Sequence, residues 1–187
     1  EMTDDFLEKQ SERCQFYMKL SVIVEDALDL PGIQLDDYSP HLVLYGKALE
    51  QSLRDNLYDL FHNEAELSVY DTYTHEANPD SEENFANKTA KDSRIGNYCF
   101  LIYDKKDYLA DLCFQNGIQT ERQPANRGAW ERWWEQLRRD VNTARAKRNL
   151  ADHADPEESP DRTSLETMCR LLIGTPDKPG IMLRNAV

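Results

Sequence analysis

A chain of 187 residues is long enough to bury a core without disulfides or metals, and a hydrophobic content of 40% is too high for a disordered protein. The formal net charge of −13 makes the chain as a whole repel nucleic acid and anionic membranes, which excludes a nonspecific nucleic-acid coat but not a local basic groove. Only 7 glycines are present, so we expect few turns and therefore helices rather than many short strands.

The cysteines predict free thiols rather than a zinc site. None of the four, Cys14, Cys99, Cys113 and Cys169, belongs to a Cys-x-x-Cys pair. Cys99 and Cys113 have apolar neighbours and are expected to be buried. The sequence has no secretory signal and no apolar run of about 18 residues, so we expect a cytoplasmic protein with reduced thiols and no membrane partner.

Two helices are predicted in the first third of the chain. The first starts after Thr3 or Asp4 and stops at Pro31-Gly32. Its apolar stripe consists of Phe16, Leu20, Ile23, Val24 and Ala27. The second runs from Ser39 as N-cap, with Pro40 in its first turn, to Phe61. Its stripe consists of Leu42, Tyr45, Leu49, Leu53, Leu57, Leu60 and Phe61.

Gly46 lies in the middle of the second helix. An interior glycine costs helix stability, so we expect a neighbouring helix to approach closely at this position. After this helix, residues 62–94 form a polar stretch that we interpret as a long surface insertion, with a short extended piece from Leu67 to Tyr70. A solvated connector is favoured over a partner-binding loop for this insertion.

Ile95 to Asn116 is predicted to be a helix, although its apolar start also fits a buried strand. Tyr108, Leu109, Leu112 and Cys113 continue the pattern at three- and four-residue spacing, which favours the helix. Asn116-Gly117 supplies its C-terminal cap.

The strongest predicted helix carries Trp130, Trp133 and Trp134, continues toward His153, and ends at Asp155-Pro156. Because neighbours on a helix differ by about 100°, we expect only one of Trp133 and Trp134 in the core, and the other at an interface or under the insertion. A last helix runs from Asp161 or Ser164 to Ile173, and the tail after Gly174 is expected to be irregular. These elements predict an all-α single domain over residues 1–187, an up-and-down bundle of four to five helices.

Five polar residues near the end of the tryptophan-bearing helix share one face. They fall within an arc of roughly 140° and are Arg145, Arg148, Asn149, Asp152 and His153. Arg148 can pair with Asp152, and Asn149 can contact His153, because each pair is four residues apart. Arg148 also continues the line of the core stripe, so its guanidinium is expected to face a cleft or a subunit interface.

The surrounding stretch is locally basic. From Arg122 to Arg148 the chain has eight Lys or Arg against three acidic residues. A basic strip on an acidic body can hold a phosphate backbone while the remainder discourages promiscuous binding. Histidine can transfer the protons of RNA cleavage near neutral pH, and arginine offers a planar fork that matches phosphate oxygens.

The segment Arg148-Asn149-Leu150-Ala151-Asp152-His153 resembles the Arg-x4-His motif of HEPN domains (higher eukaryotes and prokaryotes nucleotide-binding), in its Arg-Asn-x-x-x-His form. HEPN domains are helical bundles with this motif near the end of a late helix, and the helix order here is similar. Residues 95–98 also resemble the glycine-containing start of a middle helix in several members. The resemblance implies a metal-independent endoribonuclease that leaves a cyclic phosphate, in a homodimer whose two motifs face each other. Such proteins serve as toxins, anti-phage effectors and RNA-processing factors.

The resemblance assigns catalysis to Arg148, His153 and Asn149. Substrate binding is expected from Arg145, Lys147, Asp152 and, on the second helix, Glu50. No metal or cofactor is expected. The expected partners are single-stranded RNA, a second copy of the chain, and an antitoxin or regulatory protein.

Two other functions compete with this hypothesis. One is a non-catalytic HEPN-like dimer that binds a nucleotide, a nucleic acid or a partner protein through the surface around Arg148. The other is a metal-dependent hydrolase that uses histidines and carboxylates around the insertion, namely His41, His62, His75, Glu64, Glu66 and Glu76. No His-x-x-x-His or His-Glu-x-x-His spacing supports the second alternative.

Overall fold

The computed structural model describes residues 4–28, 37–120, 127–153, 160–175 and 178–185, which are mostly helical and confirm the all-α fold class. The helices of these residues are α1 (Asp4–Glu8), α2 (Glu12–Leu28), α3 (Ser39–Asn63), α4 (Ala65–Ser68), α5 (Ile95–Asp104), α6 (Lys106–Gln115), α7 (Arg127–His153) and α8 (Arg162–Ile173). The predicted helix ends at Pro31-Gly32 and Asp155-Pro156, and Arg122 of the basic stretch, lie outside the described residues.

Short antiparallel strand pairs join the helices. β1 (Tyr70–Asp71) pairs with β2 (Glu76–Ala77), β3 (Ile118–Thr120) with β6 (Leu183–Asn185), and β4 (Gly174–Thr175) with β5 (Lys178–Pro179). The prediction of an irregular tail after Gly174 is therefore wrong. Ile181, Met182 and Leu183 are buried, and Leu183 N donates to Ser52 Oγ at 2.9 Å. Because these apolar side chains are buried, the end of the tail is part of the core.

The central helix of the bundle is α3, which packs against α2, α5, α7 and α8. Its predicted apolar stripe is buried, apart from Leu60, which is partly buried. The predicted N-cap is wrong, because Tyr38 is the N-cap and Asp37 Oδ1 accepts the hydrogen bond of Ser39 N at 2.9 Å. A helix surrounded on several sides can hold side chains of its neighbours in fixed positions.

The stripe predicted to bury α2 is not its buried face, although Leu20 and Val24 of that stripe are partly buried. Phe16 is 58% exposed and Ile23 is 62% exposed. The buried face carries Cys14, Met18 and Ser21, all at 0% exposure. Both faces of α2 contain apolar residues, so periodicity alone does not determine which face is buried. Small Cys14 and Ser21 let α2 lie close to α3, as the 3.5 Å contact from Cys14 Sγ to a backbone oxygen of α3 indicates.

Two predicted helices are each divided into two. Cys14 N donates to Ser11 Oγ at 3.3 Å, and this cap starts α2 separately from α1. Lys105 is the single non-helical residue between α5 and α6. The helical interpretation of Ile95 to Asn116 is nevertheless confirmed, and Gly117 follows it with a φ of 67°. Asp161 is the N-cap of α8, which confirms one of the two predicted starts.

Apolar side chains anchor the insertion of residues 62–94 to the bundle. Leu67, Tyr70 and Phe85 are buried, and Phe85 lies edge-on to Tyr98 of α5 with ring centroids 5.2 Å apart. The predicted extended piece is mostly the helix α4, with Tyr70 in β1. The insertion is therefore more than a solvated connector.

Asp71 organises the turn between β1 and β2. Its Oδ1 accepts hydrogen bonds from Tyr73 N at 2.7 Å and Thr74 N at 3.1 Å, and its Oδ2 accepts one from Ser81 Oγ at 2.6 Å. Burial opposes the charge of Asp71, but these hydrogen bonds outweigh it and hold the pKa of the carboxyl below its usual range. This fixed turn carries His75, which has a φ of 62°.

All three tryptophans of α7 are buried, so the prediction that only one of Trp133 and Trp134 lies in the core is wrong. Trp130, Trp133 and Trp134 are 0%, 8% and 2% exposed. Trp130 Nε1 donates to Ala110 O of α6 at 2.8 Å, and the Trp133 ring lies 4.7 Å from the Trp130 ring. Neighbouring elements therefore cover more than one face of the first part of α7.

The two longest described helices, α3 and α7, both carry many charged side chains. Within the described part of the chain, no helix combines the length and the apolar character needed to cross a membrane.

Candidate functional site

The stem of Arg148 crosses α3 at Gly46. A Cβ atom built at Gly46 would overlap Cγ of Arg148 and stand 2.8 Å from its Cβ. Real Cβ atoms do not approach this closely, so only glycine lets α7 pack here with an arginine at this position. The expectation that a neighbouring helix approaches closely at Gly46 is confirmed. The end of α7 is thereby fixed against the centre of the bundle.

The guanidinium of Arg148 has two partners on its own helix. Its Nη2 lies 3.0 Å from Asp152 Oδ2, and its Nη1 donates to Asn149 Oδ1 at 3.1 Å. The side chains of Arg148 and Asp152 are 26% and 27% exposed. Three residues of the HEPN-like segment therefore form one connected polar group that a ligand in solvent can reach.

Antiparallel packing brings the start of α5 to this end of α7. Cys99 Sγ lies 3.7 Å from Val141 O, and the guanidinium carbon of Arg145 lies 4.8 Å from the Phe100 ring centroid. Since residue numbers fall along α7 as they rise along α5, the first turn of α5 lies beside residues near 148. Gly96 is in that turn, and a Cβ there would meet nothing within 4 Å. The surface next to the segment is open at this point.

Glu50 binds the start of α5 rather than the arginine of α7. Its Oε2 accepts a hydrogen bond from Ile95 N at 3.0 Å, and its Oε1 lies 3.2 Å from Arg54 Nη2. Arg54 Nη2 also donates to Ser93 O at 2.7 Å. Glu50 follows Gly46 by one turn of α3 and therefore lies near the segment, where it fixes the end of α5.

The remaining predicted residues lie on both flanks of α7. Lys147 Nζ donates to Ser164 Oγ of α8 at 3.2 Å, on the flank away from α5. Arg145 lies on the α5 flank and donates to Asn142 Oδ1 at 3.1 Å. His153 is the last residue of α7, and its side chain is outside the described part of the structure.

Much of the basic charge on α7 is already paired with acids. Arg127 pairs with Asp111 and Glu131, and Arg138 and Arg139 both pair with Glu135. The sequence count of basic residues therefore overstates the charge that this strip offers to a ligand.

The other three histidines lie in three different environments. His41 is buried, and His62 Nδ1 lies 2.7 Å from Phe85 O. His75 Nδ1 lies 2.6 Å from Asp104 Oδ2. Among the described residues, no group of three or more His, Cys, Asp or Glu is arranged to hold a metal ion.

Sequence reasoning missed the contact between the insertion and α5. His75 and Asp104 are 29 residues apart, so no local spacing connects them. The Phe100 ring then links His75 to Arg145 of α7, with the His75 ring centroid 5.5 Å away. The one available signal was the acidic end of α5, where Asp104 follows an apolar run.

The thiols of Cys99 and Cys113 are free and buried, as predicted. Burial raises the pKa of Cys99 to about 12, although Arg145 nearby favours the thiolate. Neither thiol is suited to act as a nucleophile near neutral pH.

Comparison of the chain with protein-family models, curated proteins and solved structures finds no match in any of the three. The HEPN resemblance therefore depends on the six-residue segment, on residues 95–98 and on the helix order.

Proposed function

We propose that the chain is a HEPN-type endoribonuclease that cuts single-stranded RNA without a metal ion, as a toxin or anti-phage effector in the cytoplasm. The observation that carries the proposal is the position of Arg148. The methylene stem of Arg148 packs on Gly46 of the central helix, and the Arg148 side chain remains 26% exposed. A permanently charged fork held in this way is suited to bind phosphate oxygens.

The proposed reaction needs two proton transfers. His153 takes the proton of the RNA 2′-hydroxyl, whose oxygen then attacks the adjacent phosphorus. A second histidine gives a proton to the departing 5′-oxygen, which leaves a 2′,3′-cyclic phosphate and a 5′-hydroxyl. Arg148 binds the negative charge of the phosphorane, and Asn149 holds the guanidinium or a phosphate oxygen.

A second copy of the chain is proposed to supply the second histidine. An isologous dimer would place two segments in one site. Subunit mixing tests this directly, because the proposed reaction needs His153 from both copies. If the site is shared, a dimer of one wild-type and one His153→Ala chain is inactive, so the activity at a constant total chain concentration falls with the square of the wild-type fraction. If the activity falls in linear proportion to the wild-type fraction while mass spectrometry shows that mixed dimers form, the shared site is wrong.

The test of the function itself is cleavage of single-stranded RNA in the presence of a chelator. We expect the wild-type chain to cut and the products to end in cyclic phosphate. His153→Ala should lose about 10²–10⁴-fold in rate with an unchanged circular dichroism spectrum. The proposal fails if the purified wild-type chain leaves RNA intact, or if His153→Ala cuts at the wild-type rate.

The ion pair with Asp152 favours a second candidate, a non-catalytic domain that binds RNA or a partner protein such as an antitoxin. Asp152 already offsets the charge of Arg148 at 3.0 Å, so an anion would have to compete with a carboxylate. Binding without turnover, weakened by Arg148→Ala but not by His153→Ala, would favour this candidate.

A further inference from the structure

The seam between α5 and α7 alternates cations with aromatic rings. The guanidinium carbon of Arg138 lies 4.4 Å from the Tyr103 ring centroid, and that of Arg145 lies 4.8 Å from the Phe100 centroid. Tyr103 is 56% exposed, so a planar ring is open to solvent beside a guanidinium. The two arginines are two turns apart, about 10 Å along α7.

His75 of the insertion extends this seam across Phe100. Its ring meets the Phe100 ring edge-on, with centroids 5.5 Å apart, and its side chain is 50% exposed. Nδ1 is directed to Asp104 at 2.6 Å. The second ring nitrogen, Nε2, is therefore the atom turned away from Asp104 and able to meet a ligand.

Tyr70 holds the carboxylate that orients His75. Its hydroxyl donates to Asp104 Oδ2 at 3.0 Å. Burial and this hydrogen bond raise the pKa of Tyr70 to about 12, so the phenol stays protonated and continues to donate at neutral pH. The imidazole therefore has a fixed orientation rather than a random surface position.

We infer that this seam, formed by Arg138, Tyr103, Arg145, Phe100 and His75, is the track along which single-stranded RNA lies. The inference rests on the proposed function, because the track ends one turn before Arg148 and would lead the strand to it. Arg145 contacts a phosphate, a base stacks on Tyr103, and Nε2 of His75 accepts a hydrogen bond from an N–H group of a base, since Nδ1 donates to Asp104. Aromatic faces next to cations are the usual means of binding single strands without base pairing.

Two carboxylates, Asp104 and Glu135, reduce the positive charge that the seam offers to RNA. Asp104 is engaged by His75 and Tyr70, and Glu135 by Arg138 at 2.8 Å. Arg138 is therefore the weaker cation, with a side chain only 16% exposed. Most of the phosphate contact should fall on Arg145.

The test is fluorescence anisotropy with a labelled, fully 2′-O-methylated single-stranded RNA, which binds but cannot be cut by 2′-hydroxyl attack. Arg145→Ala should raise Kd several-fold and lower the slope of log Kd against log salt by about 0.7. Tyr103→Ala should raise Kd at least about 5-fold, and Tyr103→Phe should restore it, since the ring alone stacks. The matched control is Arg132→Ala, an exposed arginine of α7 that lies outside the seam.

Three outcomes of this experiment distinguish a failure of the proposed RNA track from a failure of the proposed nuclease function. If Arg148→Ala weakens binding while Arg145→Ala and Tyr103→Ala bind like the wild type, the track is wrong and the proposed function stands. If Arg132→Ala weakens binding as much as Arg145→Ala, the attraction is nonspecific and the track is again wrong. A wild-type chain that binds no RNA would overturn both.

Discussion

The two ends of α7 use one helix for different purposes. At the first end, Trp130, Trp133 and Trp134 are at most 8% exposed and pack against one another. At the last end, Arg148 and Asp152 remain 26% and 27% exposed, although Arg148 continues the same buried stripe. A leucine or methionine would fill that position without bringing a charge to the core edge. The first end therefore contributes to stability, and the exposed charge at the last end is consistent with the ligand-binding role that we propose for it.

The largest loss of stability is expected from a substitution at the first end of α7. Trp130→Ala should lower the free energy of unfolding by about 3–5 kcal/mol, because it removes a fully buried indole and its hydrogen bond to Ala110 O. Urea denaturation measures the loss. RNA cleavage per folded molecule should stay at the wild-type value. A loss of cleavage in the folded fraction would contradict the assignment of this end of α7 to stability alone.

A smaller loss of stability is expected from a substitution where the last end of α7 packs against α3. Gly46→Ala should cost about 1–3 kcal/mol, because the new methyl group collides with the Arg148 stem and must displace it. Cleavage should fall as well, even where the chain is still folded.

The matched control for this substitution is Gly96→Ala, since a Cβ there meets open space. It should leave stability unchanged or raise it by up to about 1 kcal/mol. Equal effects of the two substitutions would show that the contact between Gly46 and Arg148 has no special role.

The smallest effect is expected from Arg127→Ala at the first turn of α7. Its ion pairs with Asp111 and Glu131 join side chains that are about half exposed, which limits their contribution to about 1 kcal/mol or less. A cation at a helix N-terminus also opposes the helix dipole, so part of that contribution cancels. Urea denaturation and RNA binding should both remain close to wild type. A large loss of RNA binding would extend the functional surface to the whole helix.

Sequence patterns predicted helix positions better than helix faces. The predicted buried face of α3 is correct because the opposite face of this helix is strongly polar. In contrast, α2 has apolar residues on both faces, and its Phe16 and Ile23 face outward. The burial of both Trp133 and Trp134 also escaped prediction, because periodicity describes one helix and burial depends on all of its neighbours. In the same way, Gly46 predicted a close contact but not its partner.

The candidate site was predictable only in its local part. Arg148 pairs with Asp152 as their four-residue spacing indicates, whereas the hydrogen bond between Arg148 and the adjacent Asn149 was not predicted. The role of Glu50 at the start of α5 and the pairing of His75 with Asp104 depend on tertiary packing. Neither contact has a signature in residue spacing.

The most direct test of the difference between the two ends of α7 is the single-turnover rate of RNA cleavage by Arg148→Ala, measured together with its free energy of unfolding. We expect the rate to fall about 10²–10³-fold while the free energy of unfolding changes by no more than about 1 kcal/mol. A rate that stays near the wild-type value, or that falls only in proportion to the folded fraction, would contradict the assignment of this helix end to function.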